Sequence, residues 1–210
     1  MSDIANELEP RRRPQQARSR ERIESILRCS AELICEAGVE AVTTSEIARR
    51  AEISLASLYR YYPNKAAIVK ALAEEHIRRL DSYLKDVLEN FDLETGFDRL
   101  VDGYAQFYRE EPGYKQIWSG VESMPELQQL DVKELYDNAT VISEKAAVLF
   151  PNVERDRMWL ICVMLPRVCG SILRLTMNMD ESESEAMLKE LKLMVKTYLQ
   201  FAVLHPAAAQ

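Results

Sequence analysis

Between Thr43 and Lys65 the chain reads TTSEIARRAEISLASLYRYYPNK, a run whose hydroxyls, phenols and cations can bind phosphate oxygens and whose small residues can lie against base edges. Thr43 and Glu46 have the spacing of a capping box, which predicts a helix from Thr44 with two backbone donors satisfied reciprocally. Ile47, Ala48 and Ala51 give that short helix its inward face. Ser54 can cap a second helix running from Leu55 to Tyr62, which Pro63 stops, with Leu58 turned back toward Ile47 and Ile53. Its outward side starts with small or polar residues and ends with Tyr59, Arg60 and Tyr61. Such a helix can enter a major groove, with Leu55 and Ala56 nearest the bases and Thr44, Ser45, Ser57, Tyr59, Arg60 and Tyr61 on phosphates or base edges. Asn64 can cap a third helix that begins at Lys65, where an ammonium beside a helix N-terminus forms a phosphate seat.

This run resembles the DNA-binding domain of the TetR family of transcriptional regulators, whose pattern is roughly T-T-x-x-I-A-x-x-A-G-V-S-x-G-T-L-Y-x-Y-F-x-x-K. Thr43, Thr44, Ile47, Ala48, Ala51, Ser54, Leu58, Tyr59, Tyr61 and Lys65 stand as the pattern asks, and Ile53 and Tyr62 replace Val and Phe. Glu52 and Ala56 stand where Gly is usual, and Ser57 where Thr is usual. Glu52 falls at a turn position that favours a left-handed backbone, which costs a non-Gly residue about 1 kcal/mol. Ala56 adds a methyl that can meet a thymine methyl.

The charge along the chain agrees with a nucleic-acid partner only after it is divided. The whole sequence carries 27 Lys+Arg against 34 Asp+Glu, yet residues 10–65 hold 11 basic and 7 acidic residues, so the head is +4 and the remainder −11. A basic head seeks phosphate while an acidic body is repelled by it. Arg11, Arg12 and Arg13 lie in a stretch, residues 1–14, with two prolines and no apolar period, which predicts a disordered basic arm. Such an arm can follow the DNA backbone or enter the minor groove; as a plain charge run it would be a solubilising tail.

Catalytic and metal-binding chemistry finds little support. The only histidines are His76 and His205, in no metal-ligand spacing, and with 6 Gly the chain has neither a phosphate loop nor a nucleophile elbow. Cys29 and Cys35 share one predicted helix and Cys162 and Cys169 another, with no Cys-x-x-Cys, so all four are expected as free thiols, a redox pair at 162 and 169 remaining open. No cofactor is implied. The N-terminus lacks the apolar stretch of a signal peptide, so a cytoplasmic protein is expected.

The remainder reads as helices throughout, giving an all-α fold with a helix-turn-helix domain over 15–63 and a helical ligand-binding and dimerisation domain over 64–210. Ile23, Ile26, Leu27, Ala31 and Ile34 stripe a first helix from Gln15 to Ala37, ended by Gly38. Ala73, Ile77, Leu80, Leu84 and Val87 stripe a long helix from Lys65, and Phe97, Leu100, Val101, Tyr104, Phe107 and Tyr108 the next. The resemblance implies nine helices in all. Met158 to Leu165 is apolar on every side and so requires burial all round, while Pro166 is expected to end it too soon to span a bilayer. With the two apolar stripes of the last helix, Met187/Leu191/Met194/Tyr198/Phe201 and Leu188/Val195/Leu199/Ala202, this predicts a two-fold homodimer built on the last two helices of each chain.

TetR-like regulators take a small-molecule effector among helices four to eight, which swings the fourth helix and changes the separation of two DNA-binding heads. Tyr83, Tyr104, Phe107, Tyr108, Trp118, Met124, Tyr136, Trp159, Cys162 and Met164 are the lining candidates, a set suited to an apolar or aromatic ligand. Arg167 follows Pro166 in an apolar helix and calls for a carboxylate, an anionic ligand or a place at the dimer seam. The expected function is a homodimeric transcriptional repressor that leaves a palindromic double-stranded operator when its ligand binds. An activator or ligand-independent DNA binder is the alternative within the class; a helical enzyme or interaction module with a vestigial head is the alternative outside it.

Overall fold

Nine helices, and no strand, are found among the residues that the computed structural model describes, 17–204, with side chains from 19 to 202. Arg11, Arg12 and Arg13, and the proposed disordered arm, lie outside the described residues. The helices are α1 Ala17–Ala41, α2 Thr44–Arg50, α3 Leu55–Tyr59, α4 Lys65–Glu89, α5 Gly96–Glu110, α6 Tyr114–Ser123, α7 Pro125–Leu149, α8 Arg155–Thr176 and α9 Glu181–Leu204. They form two compact units, one of Met1–Arg78 with Glu111–Asp131, the other of Arg79–Glu110 with Val132–Gln210. The division falls inside α4 and α7.

In the first unit α1 packs on α2 and α6, and α2 packs on α3. Gly38 breaks α1 as its sequence position predicts: at φ 77° and ψ 159° it leaves the helical region, and the chain resumes one further turn to Ala41. Ile26, Leu33 and Ile34 of α1, Ile47 of α2, Leu58 of α3 and Ile68 of α4 are all buried, the stripe that closes this core. Gly120 of α6 sits so close to α1 that a methyl there would lie 2.7 Å from Val39 Cγ2.

The second unit is built on α5, α8 and α9, which pack on one another. Lys196 and Lys192 of α9 pair with Asp98 (2.8 Å) and Asp102 (2.6 Å) of α5. Leu188, Leu191, Val195 and Ala202 face inward from α9, whereas Leu193, Met194 and Phe201 are exposed. One expectation about α8 needs correction. The helix continues through Pro166 to Thr176, so its length and composition would suffice to cross a bilayer; a cation at its middle, Arg167, is a feature that lipid disfavours. Within the single chain α8 keeps an uncovered apolar face: Leu160 retains 60% of its surface and Met164 41%.

Candidate nucleic-acid interface

The local sequence sets the helix-turn-helix with side-chain caps. Thr43 Oγ1 accepts from Glu46 N at 3.2 Å and Ser54 Oγ from Ser57 N at 3.1 Å, which starts α2 and α3 where the spacing predicts. Only half of the capping box is made, because the Glu46 carboxylate turns to Arg49, at 3.0 Å from Nε and 2.6 Å from Nη2. Those hydrogen bonds, ahead of the charge itself, hold Glu46 below the ordinary carboxylate pKa. In the turn, Glu52 has φ 54°, the one positive φ at a non-Gly position among the described residues. The strain expected from Glu in place of Gly is present.

Thr44 and Tyr59, fifteen residues apart, meet through their hydroxyls at 3.0 Å and so tie the start of α2 to the end of α3. Around them Ser45, Leu55, Ala56 and Arg60 are exposed and Ser57 is half-buried, which brings seven of the expected contact residues to α2 and α3. Tyr61 departs from expectation. The helix ends at Tyr59, two residues after which Tyr61 is turned inward and keeps only 7% of its surface, beside a fully buried Tyr62 whose pKa burial pushes up to about 12. Tyr61 is therefore a core residue rather than a phosphate contact.

Lys65 also differs from expectation. Asn64 Oδ1 does cap α4, accepting from Ala67 N at 2.8 Å, but the Lys65 ammonium donates to Val39 O at 2.8 Å and Glu40 O at 3.3 Å. Those carbonyls belong to the turn of α1 after Gly38, where a cation satisfies acceptors and complements the helix dipole. Two of its three N–H groups are spent on the fold. Arg50 is likewise structural, forked onto Glu36 at 2.8 and 3.2 Å with Glu32 at 3.7 Å, while Arg60 makes no ion pair with a described residue.

The effector candidates do not form one group. Trp118 and Met124 belong to the first unit, where Tyr114 lies between Trp118 (centroids 5.8 Å) and His76 (5.3 Å). In the second unit Tyr104 touches Tyr83 (6.2 Å) and Tyr108 (6.3 Å), Phe107 lies under Arg79 at 5.2 Å, and Tyr83 Oη donates to Arg99 O at 2.6 Å. Trp159 and Cys162 join a separate cluster with Ala139, Val153 and Met158, capped by Tyr136. Tyr136 and Met164 are exposed and Arg167 is half-buried. Burial pushes the thiols of Cys162 and Cys169 up to about 11, which removes thiolate and leaves the redox pair without a reactive member near neutral pH.

Sequence reasoning passed over Asp81 and Glu134. Asp81 stands four residues after Ile77 on the inward side of α4, and a carboxylate at a core position was the available signal. Glu134 of α7 accepts from Asn138 Nδ2 at 2.9 Å, and burial, followed by the charge of Asp81, pushes it up to about 7.

Comparison with known proteins agrees with this geometry. Residues 26–72 match the family described as bacterial regulatory proteins, tetR family, and residues 92–203 match the tetracyclin repressor-like C-terminal domain. The nucleoid occlusion factor SlmA of Pasteurella multocida is 33% identical over 102 residues, 47% of this chain and 50% of that protein. The chain spans about half the length of such relatives. Among solved structures, a TetR-family transcriptional regulator from Streptomyces coelicolor superposes with TM-score 0.63 at 20% identity over 85% of this chain and 98% of that one. Salmonella enterica GusR gives 0.67 at 18% identity over 86% and 96%.

Proposed function

Since the chain belongs to the tetR family of bacterial regulatory proteins, we propose that it is a cytoplasmic, homodimeric repressor that holds a palindromic operator and releases it when a small apolar or aromatic molecule binds its C-terminal domain. The observation that carries the DNA-binding part is the joined pair Thr44–Tyr59 at 3.0 Å, flanked by exposed Ser45, Leu55, Ala56 and Arg60 and by Ser57. One hydroxyl of such a pair can donate to a phosphate while accepting from the other, and a short capped helix beside it presents small side chains to base edges. Dimerisation is supported by Leu160, Met164, Leu193, Met194 and Phe201, apolar residues that α8 and α9 leave exposed in a single chain. Two heads on one symmetry axis turn weak half-site contacts into specific binding.

A reporter driven by the bound promoter tests the regulatory sense. Expression should rise when the protein is deleted; a fall would make it an activator. The SlmA relatives, named nucleoid occlusion factors and matched over 85 and 102 residues, motivate one second reading, a role in nucleoid occlusion rather than control of a promoter by a small molecule. That reading predicts DNA binding that no apolar or aromatic compound reverses.

A further inference from the structure

We propose that Asp81 of α4 and Glu134 of α7, with Tyr104 and Tyr83 of the same unit, form the binding site for an organic monocation, an ammonium carried on an aromatic group. This names the ligand class for the effector response and rests on that reading of the function.

Four observations meet here. Asp81 Oδ1 is buried, and no donor among the described residues reaches it. Glu134 stands within hydrogen-bonding reach of Asp81, and among the described residues it accepts from Asn138 Nδ2 at 2.9 Å, a neutral amide. The Tyr104 hydroxyl, which has no hydrogen bond to a described residue, feels the charges of both carboxyls, and burial raises its pKa well above the ordinary phenol. Tyr83 sets its ring edge-on to Tyr104 and spends its own hydroxyl on Arg99 O.

Two carboxyls facing each other in a poorly solvated place cannot both stay ionised. The anions that act on Glu134 are Asp81 and Asp137; the neighbouring cation, Lys133 on the same helix, also interacts with Glu134 but is hydrogen-bonded to Asp137. The pair therefore keeps one proton, held by Glu134 on its side toward Asp81, and this proton stands where a cation can take its place. An arriving ammonium would release that proton to solvent, leave both carboxylates ionised, and donate to Asp81 and Glu134, while its aromatic group meets the tyrosine rings, whose faces attract cations as well. A neutral aromatic of equal size has only the rings to bind.

The test is isothermal titration calorimetry on the full chain with benzylamine, phenethylamine and 3-phenylpropylamine, each against the alcohol of the same length. At pH 6, in two buffers of different ionisation enthalpy, at least one amine should bind with release of close to one proton, and tenfold or more tighter than its alcohol. Affinity should rise with pH up to about 7, the value to which Glu134 is pushed. Glu134→Gln and Asp81→Asn should each erase the preference for the amine, with circular dichroism reporting whether either variant has lost its helices. If no amine binds better than its alcohol, or binding releases no proton, the site is not a cation site. DNA release by a neutral or anionic compound that still acts on Glu134→Gln would overturn the cation site while leaving the ligand-responsive regulator intact. DNA binding that none of these compounds alters, despite measured amine binding, would overturn the regulator reading and leave the site.

Discussion

The hydroxyls of Thr44 and Tyr59 lie 3.0 Å apart, joining the first residue of α2 to the last residue of α3. This pair fixes the orientation of the Tyr59 phenol on an otherwise exposed surface. Tyr59→Phe removes that hydroxyl and leaves the ring. Thermal stability should change by less than about 0.5 kcal/mol, as for most surface substitutions. Operator affinity, measured by fluorescence anisotropy, should fall by about tenfold or more, the worth of a hydrogen bond to a charged group.

Lys65 provides the contrary case, a cation in a DNA-binding head that is spent on the fold. Lys65→Met retains the stem and removes the donors to Val39 O and Glu40 O. The urea midpoint should drop by an amount equivalent to about 1–2 kcal/mol, because the partly buried bond to Val39 O and the exposed bond to Glu40 O lose their charged donor. The slope of log affinity against log salt should stay within about 0.5 of wild type; a flattening by about 1 would show that Lys65 neutralises a phosphate.

At the crossing of α4 and α5, Gly103 lies directly against the Tyr83 phenol, and a methyl there would overlap it. Gly103→Ala should cost about 1–3 kcal/mol, the usual range for overpacking, in spite of the better helix propensity of Ala. Urea denaturation checks this, and the double variant Gly103→Ala with Tyr83→Phe should not recover the loss, since the ring remains.

Glu134 makes stability depend on pH. Its folded-state pKa of about 7 lies above the ordinary 4.5, so the contribution of the protonated form is full below about pH 4.5. As pH rises from there the unfolded chain gives up its proton first, and the contribution declines until it is lost above about 7. For a group only half-buried this amounts to about 1–2 kcal/mol after solvent screening. Glu134→Gln should be less sensitive to pH across that window by this amount in thermal melts; equal profiles would mean that the carboxyls do not share a proton.

Residues 43–58 were legible in the sequence because each device there is local. A cap and a left-handed turn at Glu52 depend on neighbours a few residues away, and both stand where the spacing puts them, whereas α3 ends at Tyr59, short of the Tyr62 end expected from Pro63. Tyr61 was misread for the opposite reason. Its direction depends on where α3 ends, and a five-residue helix that stops at Tyr59 turns it from surface to core. Lys65 and Val39 are 26 residues apart, and no local pattern announces their bond. The effector candidates were not legible as one group because aromatic and Met residues pack in ordinary cores as readily as in pockets, and Trp118 belongs to a different unit from Tyr104. Pro166 was given a helix-breaking weight that α8 does not obey.

The exposed apolar face of α8 and α9 should decide the assembly state. Leu193→Glu places a charge on a residue that keeps 60% of its surface in the single chain, so folding should be unaffected while the dimer is lost. Light scattering should report a dimer for the wild type and a monomer for the variant, whose operator affinity falls with the loss of two-headed binding.

The most direct test of the account is selection of duplexes from a random-sequence library by the full chain, followed by titration of the selected duplex at rising salt. The predicted result is a palindrome whose affinity weakens steeply with salt, and which Tyr59→Phe binds less well. Enrichment of no sequence, or binding with no salt dependence, would contradict the claim that the surface around Thr44 and Tyr59 reads DNA.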